Sequence, residues 1–132
     1  MNVLNAAIYS ALSSNAALIT ALGGTAIYHL QAPDENALPY VIYSWQGGGD
    51  VNESPHGDNE SVRFVRTYAA TAKQAWEIDA LIKPLLHNVA LAVTGYTTII
   101  CRREDDYESV ETSPTGVKTF TAGGLYRIRI TK

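Results

Sequence analysis

The residues best suited to chemistry are few and scattered along the chain. Three histidines, His29, His56 and His87, stand in different segments and lack the spacing by which neighbouring histidines share a metal. Cys101 is the only cysteine. It is flanked by Ile100 and Arg102 in a strand-like run, which reads as a small buried thiol better than as a nucleophile. Gly47-Gly48-Gly49-Asp50 is not followed by the Gly-Lys-Ser/Thr that makes a phosphate loop. Asp105-Asp106 with Glu108 and Glu111 offers carboxylates to a divalent cation, but not in the order of a calcium loop; a run of this kind is expected to be a solvated segment. No nucleophile, base and oxyanion donor converge, so the expectation is a protein without catalytic activity, metal or cofactor.

Charge carries more information. Ten lysines and arginines face thirteen aspartates and glutamates, a formal charge of −3 that does not suit a nucleic-acid binder. Charged residues make up only 17% of the chain, below the usual share of roughly 25%, as expected of a surface partly covered in its working state. Six bases fall in strand-like runs: Arg63, Arg66, Arg102, Arg103, Arg127 and Arg129. Nine acids fall in two stretches, Asp50, Glu53, Asp58 and Glu60 in the first and Glu104, Asp105, Asp106, Glu108 and Glu111 in the second. One reading is a solvated sheet with polar loops. The sharper reading has acids of one copy meeting arginines of the next, which fixes register and closes copies head-to-tail into a ring. The expected interface set is therefore Asp50, Glu53, Asp58, Glu60, Arg63, Arg66, Asp105, Asp106, Glu108, Arg127 and Arg129.

These groups must be positioned by a single α+β domain of 132 residues. Leu4, Ile8, Ala11 and Leu12 predict a helix over 3–12. Ser14 or Asn15 caps a second short helix that carries Leu18, Ile19 and Leu22 and stops at Gly23-Gly24. Strands are predicted at 25–28 and at 39–46, with Pro39 tolerated only at the start. Residues 47–60, rich in glycine and acid, read as a long flexible loop. Alternation over 61–71 places Val62, Phe64 and Tyr68 on one face and Arg63, Val65 and Thr67 on the other. The stripe Ala75, Ile78, Leu81, Ile82, Leu85 and Leu86 predicts a helix over 73–87, its last turn disturbed by Pro84. His87 at its end favours the negative pole of the helix dipole. Strands follow at 97–103 and 125–131, separated by a second flexible arm at 104–122; Gly123-Gly124 reads as a bulge or turn before the last strand. The sum is a mostly antiparallel sheet of four to five strands with the helices on one face. No run of roughly 18 apolar residues exists, so no helix is long and apolar enough to cross a membrane, and no signal peptide is expected at Met1-Asn2-Val3-Leu4-Asn5.

The helical pair ending in Gly23-Gly24, then Thr25-Ala26-Ile27-Tyr28 and Leu38-Pro39-Tyr40-Val41-Ile42-Tyr43, resembles the tail-completion or tail-terminator family of long-tailed phages. So do the strand at 61–71, the Ala/Ile/Leu-rich helix at 73–87 and the closing Tyr126-Arg127-Ile128-Arg129-Ile130. The resemblance runs through nearly the whole chain in element order. It implies a virion protein that forms a ring, commonly a hexamer, on the head-proximal end of the tail tube. There it stops tube growth and faces a head-neck connector. It also implies no enzymatic activity and no cofactor, with DNA passing through the lumen without specific binding, and assembly in the host cytoplasm. The two long loops would then lie at partner contacts. Two other readings of the same residues are a head-completion adaptor or stopper, and a small ligand- or nucleic-acid-binding module using Tyr40, Tyr43, Trp45 and Tyr68 as a stacking platform.

Overall fold

The computed structural model describes residues 2–33, 37–51 and 57–132. Three helices and five strands follow in the order α1 (Asn2–Ser13), α2 (Ala16–Leu22), β1 (Ile27–His29), β2 (Tyr40–Val51), β3 (Asp58–Ala69), α3 (Ala72–Leu86), β4 (Thr97–Thr112) and β5 (Lys118–Thr131). They form one mixed sheet in the order β1-β2-β3-β5-β4, antiparallel throughout except for β1 against β2.

Local chemistry accounts for the helix limits. Asn15 accepts a bond from Leu18 N at 2.9 Å and so satisfies one of the free donors of α2. Gly23 ends that helix at φ 74°, with its N–H and that of Gly24 returning to the last turn. Thr71 caps α3 through Gln74 N. Pro84 is accommodated inside α3, which still closes with His87 N bonded to Lys83 O.

All three helices pack on one face of the sheet. Leu4, Ile8 and Leu12 of α1, Leu18 and Leu22 of α2, and Ile78, Ile82 and Leu86 of α3 share one core with Val41, Tyr43, Val65, Cys101, Tyr126, Ile128 and Ile130 from the strands. Removing this much apolar surface from water is the dominant stabilising contribution. Leu81, expected in the stripe, lies at its border and is partly exposed, while Asp79 is buried within it. At one end of α3 the small residues Ala69, Ala75 and Ala122 bring helix and sheet close together, with Trp76 lying against them.

Of the expected loop at 47–60, the described residues are mostly strand and 52–56 lie outside them; the expected arm at 104–122 is mostly strand as well. β2 runs on through Gly47, Gly48 and Gly49 to Val51, and β3 begins at Asp58. β4 and β5 form a long hairpin closed only at 113–117. Gly, Asp and Glu are poor strand formers on their own, and cross-strand pairing overrides that preference here. Gly48 shows why: it sits at φ 94° beside a bulge at Gln46, and a Cβ there would run into the backbone of Glu60 and Ser61. Gly123 and Gly124 likewise lie inside β5 rather than before it.

The two hairpins point in opposite directions. Asn59 pairs with Ile130 at one end of the β3–β5 ladder, and Ala69 pairs with Phe120 at the other. The Val51–Asp58 pair of β2 and β3 therefore lies at one end of the sheet and the β4–β5 tip at the opposite end.

Candidate functional site

Among the described residues the second face of the sheet carries no helix, and its residues follow from the register. Across β2, β3, β5 and β4 the rows read Tyr40, Tyr68, Thr121, Ser109, then Ile42, Arg66, Gly123, Tyr107, then Ser44, Phe64, Leu125, Asp105. Below them lie Val62, Arg127 and Arg102, then Glu60, Arg129 and Ile100. This face therefore has two parts, an aromatic half toward the β4–β5 tip and a charged half toward the β2–β3 end.

In the aromatic half, Tyr40 and Tyr68 stack with centroids 5.1 Å apart, and Tyr28 meets Tyr40 edge-on at 6.4 Å. Phe64 and Tyr107 form a T-shaped pair at 4.8 Å. Such pairs contribute beyond their buried area. The Arg66 guanidinium lies 4.6 Å from the Phe64 ring centre and 5.7 Å from that of Tyr68. Burial pushes the Tyr68 hydroxyl above its ordinary value, with Arg66 opposing. Thr121, opposite Tyr68, is almost fully buried, and its hydroxyl has no partner among the described residues.

The charged half is a ladder of alternating sign. Arg129 meets Asp58 at 2.9 Å and Glu60 at 3.9 Å. Arg127 meets Glu60 at 3.4 Å and Glu104 at 2.6 Å, and Glu104 also meets Arg102 at 3.6 Å. The hydrogen bond from Arg127 holds the Glu104 carboxyl below its usual range. Arg127 and Arg129, expected to reach a neighbouring copy, are thus paired with acids of their own chain.

On the helix-covered face, by contrast, sits an ion pair sealed from water. Strand alternation from Cys101 already places the Arg103 side chain inward, opposite Tyr126, and the bulge that follows between Arg103 and Asp105 brings Asp106 to the same face. Its Nη1 donates to both carboxylate oxygens of Asp79 at 2.9 and 2.8 Å and to the Tyr126 hydroxyl at 3.3 Å. Nη2 donates to Gly123 O at 2.6 Å, and Nε donates to Asp106 at 2.7 Å. The side chains of Arg103 and Asp79 are only 4% and 5% exposed. Gly124 leaves the passage open, since a Cβ there would collide with the guanidinium. Burial raises the Asp79 carboxyl above its ordinary value despite Arg103, and pushes the Tyr126 hydroxyl up to about 12. Cys101 donates its thiol to Leu86 O at 2.9 Å, and burial pushes its pKa up to about 11. A thiol so held is not a nucleophile at neutral pH.

The remaining expected site residues divide as follows. Arg63 is 2% exposed under α1, donating to Asn5 Oδ1 at 2.8 Å and Ser61 Oγ at 3.2 Å, so it is an interior residue rather than an interface one. Desolvation lowers its pKa. Asp50 accepts from Asn59 at 3.1 Å, and Glu108 accepts from Trp76 Nε1 at 3.1 Å. Asp106 belongs to the Arg103 cluster. Asp105 is exposed. Glu53 lies outside the described residues, as does His56. His87, at the end of α3, accepts from Arg103 N through its Nδ1 at 3.1 Å, which ties α3 to β4. Of the aromatic platform, Tyr40 and Tyr68 do share a face, but Tyr43 lies in the core with His29 stacked on it at 5.3 Å. Among the described residues no three His, Cys, Asp or Glu side chains gather as a metal-binding group.

Sequence reasoning misses the Asp79–Arg103 pair. Its signal is an acid at the fourth position after Ala75 and the third before Ile82, inside the apolar stripe of a helix, where an unpaired carboxylate is costly.

Residues 6–122 match the family model described as tail completion protein gp17. Among solved structures, a chain of the virion of a native gene transfer agent particle superposes with a TM-score of 0.78 at 18% identity, covering 98% of this chain and 95% of that one. The gp17 protein of bacteriophage SPP1 superposes with a TM-score of 0.60 at 19% identity, covering 99% of this chain and 89% of that one. At such identities the likeness establishes the fold. No curated protein matches the chain.

Proposed function

The chain belongs to the tail completion protein gp17 family, and from that premise we propose that it forms a ring on the head-proximal end of a phage tail tube, stops tube growth and helps to join tail to head. Membership makes it a structural tail-completion protein of a bacteriophage virion. The observation that carries the finer reading is that the match extends through 6–122, so it takes in most of α1, all of α2, α3 and β1 to β4 and the start of β5 rather than one motif.

The chemistry of the surface agrees with a docking role. The sheet offers one face without helices, and the exposed part of that face combines tyrosine, phenylalanine and arginine, types that dominate the energetic centres of protein interfaces. Tyr107 on this face is 39% exposed, a large ring left in water by the fold itself. The partners in this reading are further copies of the chain, commonly six, the tail-tube protein and a head-neck connector. DNA passes through the lumen without specific binding. The chain carries out no reaction and takes no cofactor.

The test is the solution mass by light scattering over a range of concentrations, alone and with purified tail-tube protein, with tube lengths followed by electron microscopy. A discrete ring-sized species and tubes that stop growing are expected. A strict monomer under both conditions, with tubes growing unchecked, would overturn the proposal.

A further inference from the structure

Four of the six arginines are held by carboxylates of their own chain: Arg102 by Glu104, Arg103 by Asp79 and Asp106, Arg127 by Glu60 and Glu104, and Arg129 by Asp58. Arg63 is interior and rests on the neutral oxygens of Asn5 and Ser61. Arg66 differs from all five. It lies on the uncovered face and has no ion pair or hydrogen bond among the described residues. Its Nε is shut off from solvent without a partner. Phe64 and Tyr68 flank the guanidinium, so the side chain is already ordered while its donors are uncommitted. A fork of N–H groups held in this way is preorganised for a carboxylate, because little rotamer entropy remains to be lost on pairing.

The acids show the complementary imbalance. Among the described residues, only Asp105 and Glu111 have neither a basic partner nor a hydrogen bond, and both are exposed on β4. Within one copy they stand two strands away from Arg66, with β5 between. β4 is also the edge of the sheet, and acids along an edge discourage backbone pairing with a like strand; the strand presents its side chains instead.

We infer that Arg66 receives a carboxylate from Asp105 or Glu111 of a second copy of this chain. The inference rests on the ring reading given above and names one contact within it. Every copy then supplies one receiving site and one acidic strand, which is what an assembly of identical subunits requires of its contact. A nucleic-acid phosphate is the weaker occupant, because the net charge is −3 and the same surface carries the two free acids, which repel a polyanion.

The test uses two full-length variants, Arg66→Glu and the double variant Asp105→Arg/Glu111→Arg, each checked for native circular dichroism, with native mass spectrometry as the readout. The wild-type chain assembles, with tube protein if that is needed. Each variant alone should need at least about ten times the concentration to assemble, because like charges then face each other. Mixed one to one, the two should recover wild-type assembly with the copies alternating, since every contact is complementary again. Assembly of Arg66→Glu alone at the wild-type concentration would overturn the inference and leave the ring reading standing. So would two folded variants whose mixture fails to recover. A wild-type chain that never assembles would remove both.

Discussion

On the helix-covered face of the sheet Arg103 reaches inward to Asp79 and is sealed from water, whereas on the uncovered face Arg127 and Arg129 meet Glu60, Asp58 and Glu104 while still in contact with solvent. The pairs are chemically alike, but their surroundings are not. Coulomb attraction at about 3 Å is several times stronger inside a protein than in water, and so is the cost of leaving either charge alone. The inner pair therefore locks α3, β4 and β5 into one arrangement. The outer ladder can exchange partners at little cost.

That contrast can be broken from the inside first. Asp79→Ala leaves Arg103 buried without its main partner and should cost about 3–5 kcal/mol in urea unfolding, the largest loss expected on either face. A loss under about 1 kcal/mol would mean that water reaches the cluster and that the two faces do not differ.

Alkaline titration sharpens the same point. Burial raises Cys101 from 9.0 to about 11 and Tyr126 from 10.0 to about 12, so the folded state retains protons that the unfolded chain has already released. For Cys101 this contribution is complete below pH 9 and is lost as pH rises through 11. Tyr126 adds a second loss between 10 and 12. Each shift corresponds to at most about 3 kcal/mol. Urea unfolding across pH 8 to 11 should therefore show falling stability, with a shallower fall in Cys101→Ala. An unchanged slope in that variant would place the thiol in contact with water.

The smallest effect is expected outside. Arg127→Ala should cost no more than about 1 kcal/mol, and the difference should shrink further in high salt. A loss as large as that of Asp79→Ala would show that the ladder, too, is a fixed part of the fold.

Much of this architecture is legible in the sequence because it is written in local signals. Asn15 and Gly23 mark the ends of α2, and the alternation of Tyr126, Ile128 and Ile130 with Arg127 and Arg129 gives both the strand and its inward side. What escapes is whatever depends on a partner distant in sequence. Gly47 to Gly49 and the acids from Glu104 to Glu111 look like loop until β3 and β5 supply their ladders. Arg63 shares a face with Val65 and Thr67, and that alternation already assigns it to the interior, yet its charge suggests surface. The arginines of the ladder are recognisable as a group, but composition alone does not tell whether their acids come from the same copy or from the next.

The opposed hairpins have a mechanical consequence. The β2–β3 tip at the Val51–Asp58 pair and the β4–β5 tip lie at opposite ends of a ladder that pairs Asn59 through Ala69 with Phe120 through Ile130, a span of roughly 35 Å at the usual rise per residue. If each tip is held by a different neighbour, tension between the neighbours runs along the strands and across bonds that lie perpendicular to them. The ladder is then loaded in shear: its bonds must fail together, whereas a hairpin pulled open at one end gives way one bond at a time. A subunit with this layout resists being stretched along its strands far better than it resists being peeled apart.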